Sequence, residues 1–279
     1  IVDTLVMTAT PIPRSLAIVL YGDLDISIID ELPPGRKPVE TYVVNDNYNI
    51  RVNNFLKKQM NEGRQVYIVC PLVEENEDLD LNSVEKLYEE YKKEFSDYSV
   101  GILHGKMKNK QKDEIMNEFK ENKINMLIST TVIEVGISVS NATVMVIENA
   151  DRFGLAALHQ LRGRVGRGSE ASYCILKSNN KSAISRQRLD IMRKSNDGFL
   201  IAKKDLELRG PGDFFGIRQS GMPEFKLANL LTDTKILEKT QLAVKELVAE
   251  DKKLILPQNQ MIKKELLFKY GEQLNSIVG

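Results

Sequence analysis

The sequence predicts an α/β fold: a parallel sheet flanked by helices, followed by a helical hairpin and C-terminal helices. Two observations carry this expectation. From about residue 40, short continuous apolar runs alternate with amphipathic stretches of helical length. After residue 180 the strand-like runs stop, while helical patterns persist. A strand that is apolar throughout has no solvent face, so helices must cover it on both sides.

Taken in order, residues 1–30 carry one strand, beginning in the apolar run Ile1–Met7, and one helix. Glu31–Pro38 holds three prolines and a glycine, cannot continue a helix, and reads as a semi-rigid linker. Thr41–Val44 is the next strand, followed by a helix near 48–62 and the apolar run Val66–Val73. An acidic loop from Glu74 to Asp80 should lead into a helix near 83–95. Ser99–Leu103 is a strand, and the stretch near 108–121 is a helix with Ile115, Met116 and Phe119 on its apolar side. Asn125–Ser129, Thr143–Ile147 and Ser172–Leu176 complete the strands. Helices near 182–195 and 199–208 flank the tight turn Asn196-Asp197-Gly198. Residues 225–279 are mostly amphipathic helix, the last one starting at Pro257. Because the chain opens on an apolar run without methionine, it reads as a piece of something larger.

Composition narrows the class. The 279 residues are 42% hydrophobic and 28% charged, as in an ordinary globular protein. Formal net charge is zero, so any contact with nucleic acid must be a local patch. Cys70 and Cys174 lie in apolar runs without metal-ligand spacing and read as reduced core residues of a cytoplasmic protein. No apolar run approaches the ~20 residues of a membrane span, so no membrane partner is expected.

The segment from His159 to Gly168, HQLRGRVGRG, carries the sharpest chemistry. Read as a helix, it places Gln160, Arg164 and Arg167 within an arc of roughly 60°, with Arg162 pointing away. Gly163, Gly166 and Gly168 would each cost about 1 kcal/mol in such a helix. Close approach of bare backbone to a bulky anion is the compensation this reading supplies. Two guanidiniums and an amide there suit the charge developed in phosphoryl transfer.

Polar turns follow other strands. Thr8, Thr10 and Arg14 lie in a proline-fixed turn that would suit sensing at a domain interface, or would simply start a capped helix. His104 and Gly105, followed by Lys106, could meet a backbone phosphate, or His104 could be structural. Thr130 and Thr131, at a strand-to-helix junction, could hold a phosphate or cap the helix. No GxxxxGKS/T run occurs, so these arginines make sense as fingers only if the phosphate cradle lies elsewhere.

These segments together resemble a known family. TATPIPR at 8–14, LHGKM at 103–107, STTVIEVG at 129–136 and HQLRGRVGRG at 159–168 resemble motifs III to VI of superfamily 2 helicases. The run VIENADRFGL at 146–155 resembles a branch that contains the RecG family and the transcription-repair coupling factors. The stretches 21–38 and 197–225 favour RecG. The resemblance covers about residues 1–230 and implies a RecA-like fold. It divides the chain into a remnant of a first motor domain (1–30), a linker (31–38), a second motor domain (39–180), a helical hairpin with translocation loop (181–225) and a C-terminal helical region (226–279).

It also implies an ATP-dependent DNA helicase. This chain would be the second motor of a double-stranded DNA translocase acting on branched DNA, such as replication forks and Holliday junctions, in repair and recombination. Arg164 and Arg167 would be fingers on the γ-phosphate, Gln160 a nucleotide sensor, and Gly136 and Ser138 residues at the nucleotide cleft. His104, Gly105, Thr130 and Thr131, with Arg209, Arg218 and Gln219 of the translocation segment, would meet DNA. Thr8, Thr10 and Arg14 would couple the domains. ATP and Mg2+ would be bound mainly by a first motor domain, which with a wedge domain would precede this chain, so the chain alone should not hydrolyse ATP. A bacterial, cytoplasmic, nucleoid-associated monomer is expected. Ser138 and Ser140 replace the aspartate and proline usual in the family, and Lys203 replaces a common glutamate. The competing readings are the motor of a transcription-repair coupling factor and a non-catalytic RecA-like scaffold.

Overall fold

The computed structural model describes residues 35–71, 77–130, 139–209 and 233–277, with five isolated positions before residue 32. The chain divides into two compact units, 1–11 with 29–217 and 12–28 with 218–279. The larger unit holds six strands: β1 (Glu40–Val44), β2 (Gln65–Val69), β3 (Val100–Leu103), β4 (Met126–Ser129), β5 (Ala142–Ile147) and β6 (Tyr173–Lys177). They form one sheet in the order β1-β6-β5-β2-β4-β3. Every pairing is parallel, as the continuous apolar runs require.

Alternate strand residues feed two separate cores. Tyr67, Val69, Leu127, Met145 and Ile147 face one side of the sheet. There they meet α3 (Asn109–Lys120) through Met116 and Phe119, and α4 (Leu155–Arg162) through Leu155, Leu158 and Leu161. Leu189 and Met192 of α5 (Ala183–Lys194) and Ile201 of α6 (Gly198–Arg209) complete that layer. Val66, Ile68, Met126, Ile128, Val144 and Val146 face the other side. They pack on Val52, Leu56 and Met60 of α1 (Asn49–Asn61) and on Val84 and Tyr91 of α2 (Glu77–Glu94). Each fully buried Leu, Ile or Val contributes about 1.5–3 kcal/mol, and the period of two sorts them between the layers.

Local chemistry sets the ends. Pro71 has no N–H, and the β2 run stops just short of it, Cys70 still donating to the Ser129 carbonyl at 2.9 Å. Ser182 caps α5 by accepting from the Ser185 N–H at 3.2 Å. Asp197 accepts from Phe199 and Leu200 at 2.8 and 3.3 Å, so the expected Asn-Asp-Gly turn also caps α6. One boundary differs from expectation. Helix α2 begins at Glu77, so Glu77, Asp78 and Asp80 belong to its first turn and not to a loop. Carboxylates are favoured at a helix N-terminus, where the dipole is positive.

In the smaller unit, α7 (Thr234–Asp251) and α8 (Gln260–Ile277) are joined through a 3-10 turn at Pro257–Asn259. The Asp251 carboxylate accepts from the Ile255 and Leu256 N–H groups and from Asn259 Nδ2, at 2.9, 2.8 and 3.0 Å. Both cysteines are buried free thiols. Among the described residues, no helix is long and apolar enough to cross a membrane.

Candidate functional site

The segment expected to be one helix is a helix followed by a turn. Helix α4 ends at Arg162, Gly163 is its C-terminal cap, and Gly166 adopts φ +76°. Arg164 and Arg167 therefore lie beyond the helix, and the shared helical arc with Gln160 is not formed. The glycines answer to the protein itself and not to a bare anion-facing surface. A Cβ on Gly166 would stand 2.9 Å from Val39 Cγ2, and one on Gly168 would stand 2.9 Å from the Ser140 carbonyl oxygen.

Both arginines nevertheless belong to this one turn. Val165, fully buried in the core, anchors the turn between them. Both guanidiniums act on the Tyr67 hydroxyl: burial pushes that phenol up to about 12, and Arg164 and Arg167 oppose the rise. Arg164 is half-buried and Arg167 exposed, and neither forms an ion pair among the described residues. Arg167 Nε donates only a long bond, 3.4 Å, to the Gly163 carbonyl. Gln160 is exposed on the last turn of α4.

Contacts with Val39, Ser140 and Ser172 put this turn beside residues that immediately precede β1, β5 and β6. The rule that sites gather at the carboxyl ends of parallel strands misplaces it, because α4 runs back along the sheet before the turn. The candidate DNA residues do obey that rule. His104 and Gly105 follow β3, Thr130 follows β4, and these neighbouring strand ends are joined by the Thr130 N–H donating to the Leu103 carbonyl at 3.3 Å. His104 Nδ1, Ser129 Oγ and Thr130 Oγ1 are buried and have no hydrogen-bond partner among the described residues. Burial, with Lys112 and Lys106 nearby, holds the His104 imidazolium below its ordinary range despite an opposing effect of Glu85. Thr8, Thr10, Arg14, Thr131, Gly136, Ser138, Arg218 and Gln219 lie outside the described residues. Arg209 ends α6.

Five polar residues of the larger unit make contacts to which the sequence reading assigned no role. Arg162, only 3% exposed, donates from Nη1 to the carbonyls of Met192 and Ser195, both at 2.8 Å. Its Nη2 meets His159 Nδ1 at 3.2 Å. Arg36, from the proline-rich linker, donates to the carbonyls of Gly166 and Gly163 at 3.2 and 3.4 Å. At the carboxyl end of the sheet, Glu148 Oε1 accepts from Lys177 Nζ at 2.7 Å and from the Tyr91 hydroxyl at 2.8 Å. A lysine closing an apolar strand run was the available signal for that last pair. A cavity of about 1440 Å³ opens at the β1 edge between α1 and α5, and none of the candidate residues lines it.

Comparison with known proteins matches this frame. The model for the helicase conserved C-terminal domain covers residues 49–169, which take in strands β2 to β5 and run from α1 to the arginine turn. The fold and this match identify residues 49–169 as a helicase C-terminal domain of RecA-like architecture. Residues 195–274 match the model for ATP-dependent DNA helicase RecG, domain 3, C-terminal. The RecG of Bacillus subtilis is 50% identical over 266 residues, 95% of this chain and 39% of that protein. The Thermotoga maritima RecG is 49% identical over 250 residues, 89% of this chain and 32% of that protein. A solved structure of RecG bound to a three-way DNA junction aligns with a TM-score of 0.68 and 47% identity, over 85% of this chain and 31% of that one. The chain belongs to the RecG family. It spans well under half the length of these relatives, and the match over 195–274 weighs against the coupling-factor reading.

Proposed function

We propose that this chain is the second motor domain and translocation segment of an ATP-driven translocase that acts on branched double-stranded DNA in repair and recombination. The observation that carries the reading is the Arg164–Arg167 turn. Both guanidiniums lie within electrostatic range of the buried Tyr67 phenol, and neither has an acidic partner among the described residues, as fingers awaiting a phosphate chain require. Gln160, exposed on the last turn of α4, is the nucleotide sensor. Gly136 and Ser138 are assigned to the nucleotide cleft, and Thr8, Thr10 and Arg14 to coupling between motor domains, on the family resemblance of their segments.

The buried, unpartnered His104 Nδ1 and Thr130 Oγ1 support a second, DNA-facing site at the ends of β3 and β4. An orphaned polar atom costs about 1–3 kcal/mol, and a phosphate oxygen would satisfy the Thr130 hydroxyl. Gly105, Thr131, Arg209, Arg218 and Gln219 are also assigned to DNA, on the family resemblance of their segments. The family's name and the junction-bound relative favour ATP as fuel and a branched duplex as substrate. No three His, Cys, Asp or Glu side chains converge as metal ligands among the described residues. On the family resemblance, Mg2+ is assigned with the nucleotide mainly to a first motor domain, and no step here runs through it. The protein is read as a cytoplasmic monomer.

The test is Arg164→Ala in the full-length protein. Fork-stimulated ATP hydrolysis should fall by a factor on the order of 10³ while DNA binding persists. Hydrolysis within a few-fold of wild type would remove Arg164 from the finger role.

A further inference from the structure

The turn that carries the fingers has little stiffness of its own. Gly163, Gly166 and Gly168 leave its backbone free, and α4 hands it orphan carbonyls that no helical N–H can reach. Val165 anchors it to the core from one side. From the other side it is held by the linker segment that leads into β1. Gly35 turns the chain with φ +81°, and Arg36 then donates its Nε to the Gly166 carbonyl and an Nη to the Gly163 carbonyl. The Lys37 carbonyl and the Val39 side chain lie against Gly166. Gly163 also receives the Arg167 Nε, so one carbonyl is shared by a linker arginine and a candidate finger.

We propose that Arg36 is a positioning residue for the fingers, fixing the turn's carbonyls so that Arg164 and Arg167 project in the geometry hydrolysis needs. Because Arg36 stands in the segment preceding β1, movement of that segment is passed directly to the finger turn. The inference rests on the finger reading of Arg164 and Arg167. A guanidinium suits the task because its planar fork reaches two carbonyls at once, which an ammonium cannot do in fixed geometry. A misplacement of about 1 Å at such a site is enough to cost on the order of 10²-fold in rate.

The experiment compares Arg36→Ala, Arg36→Lys and Arg164→Ala in the full-length protein by fork-stimulated ATP hydrolysis, ATP KM, fork-DNA affinity and thermal midpoint. Arg36→Ala should lower kcat by about 10- to 100-fold and leave KM and DNA affinity within about three-fold. Arg36→Lys should recover part of that loss. Wild-type kcat in Arg36→Ala beside an inactive Arg164→Ala overturns the positioning role and leaves the finger reading standing. Wild-type kcat in Arg164→Ala overturns the finger reading and this inference with it. If Arg36→Ala does not fold, Arg36→Lys decides: reduced kcat with faster amide exchange at residues 164–167 supports the role, and wild-type kcat overturns it.

Discussion

Beneath α4, the Arg162 guanidinium supplies donors to carbonyls at the C-terminal end of α5, where the helix leaves them unpaired and the dipole favours a cation. Its neighbour in the finger segment, Arg164, makes no such contacts among the described residues, so two arginines of one motif divide into a structural clamp and a candidate catalytic group. Arg162→Met keeps the apolar stem and removes every donor, leaving two carbonyls without their partner. We expect a loss of about 3 kcal/mol, read as a lower urea midpoint with an unchanged slope. His159 responds to the same clamp. Burial first, then the Arg162 charge, hold its imidazolium below the ordinary 6.5. The folded state therefore binds fewer protons than the unfolded chain, and the stability present above 6.5 is lost as pH falls toward the folded value. His159→Gln should flatten the decline in thermal midpoint between about pH 7.5 and about pH 5.5. An unchanged decline would assign the acid limb to other groups.

At the level of elements, the break after Arg162 decides what the arginines can do. A helix continued through 167 would place Gln160, Arg164 and Arg167 along one stripe on a straight rod. The observed turn instead seats Val165 in the core and leaves Arg164 half-buried and Arg167 exposed. Gly166 makes the reversal possible, since its φ of +76° is open to glycine and costly to other residues. Gly166→Ala adds that strain to a contact of 2.9 Å with Val39 Cγ2, so the turn must shift or the start of β1 must give way. The expected cost is about 2 kcal/mol, with the finger function lost before the fold. Equal stability and activity to wild type would show that the turn tolerates a β-carbon. The helix-against-turn choice was poorly legible beforehand. A Gly-X-X-Gly spacing fits either, and the deciding contact comes from Val39, more than a hundred residues away in sequence.

Across the larger unit, one sheet carries two candidate sites on different ends. The finger turn lies beside the residues that lead into β1, β5 and β6, while His104 and Thr130 close β3 and β4 at the opposite end. A domain built this way can meet phosphates of two kinds without crowding them. The sequence by itself determined the six apolar runs, the helices between them and the parallel arrangement, because each follows from local periodicity or residue type. Only the tertiary structure decided where α4 stops, which arginine is buried, that Arg36 reaches Gly163 and Gly166, and that Glu148, Lys177 and Tyr91 share one buried network. Those outcomes depend on groups distant along the chain meeting in a low-dielectric interior, and a pattern read over neighbouring residues carries no term for such meetings.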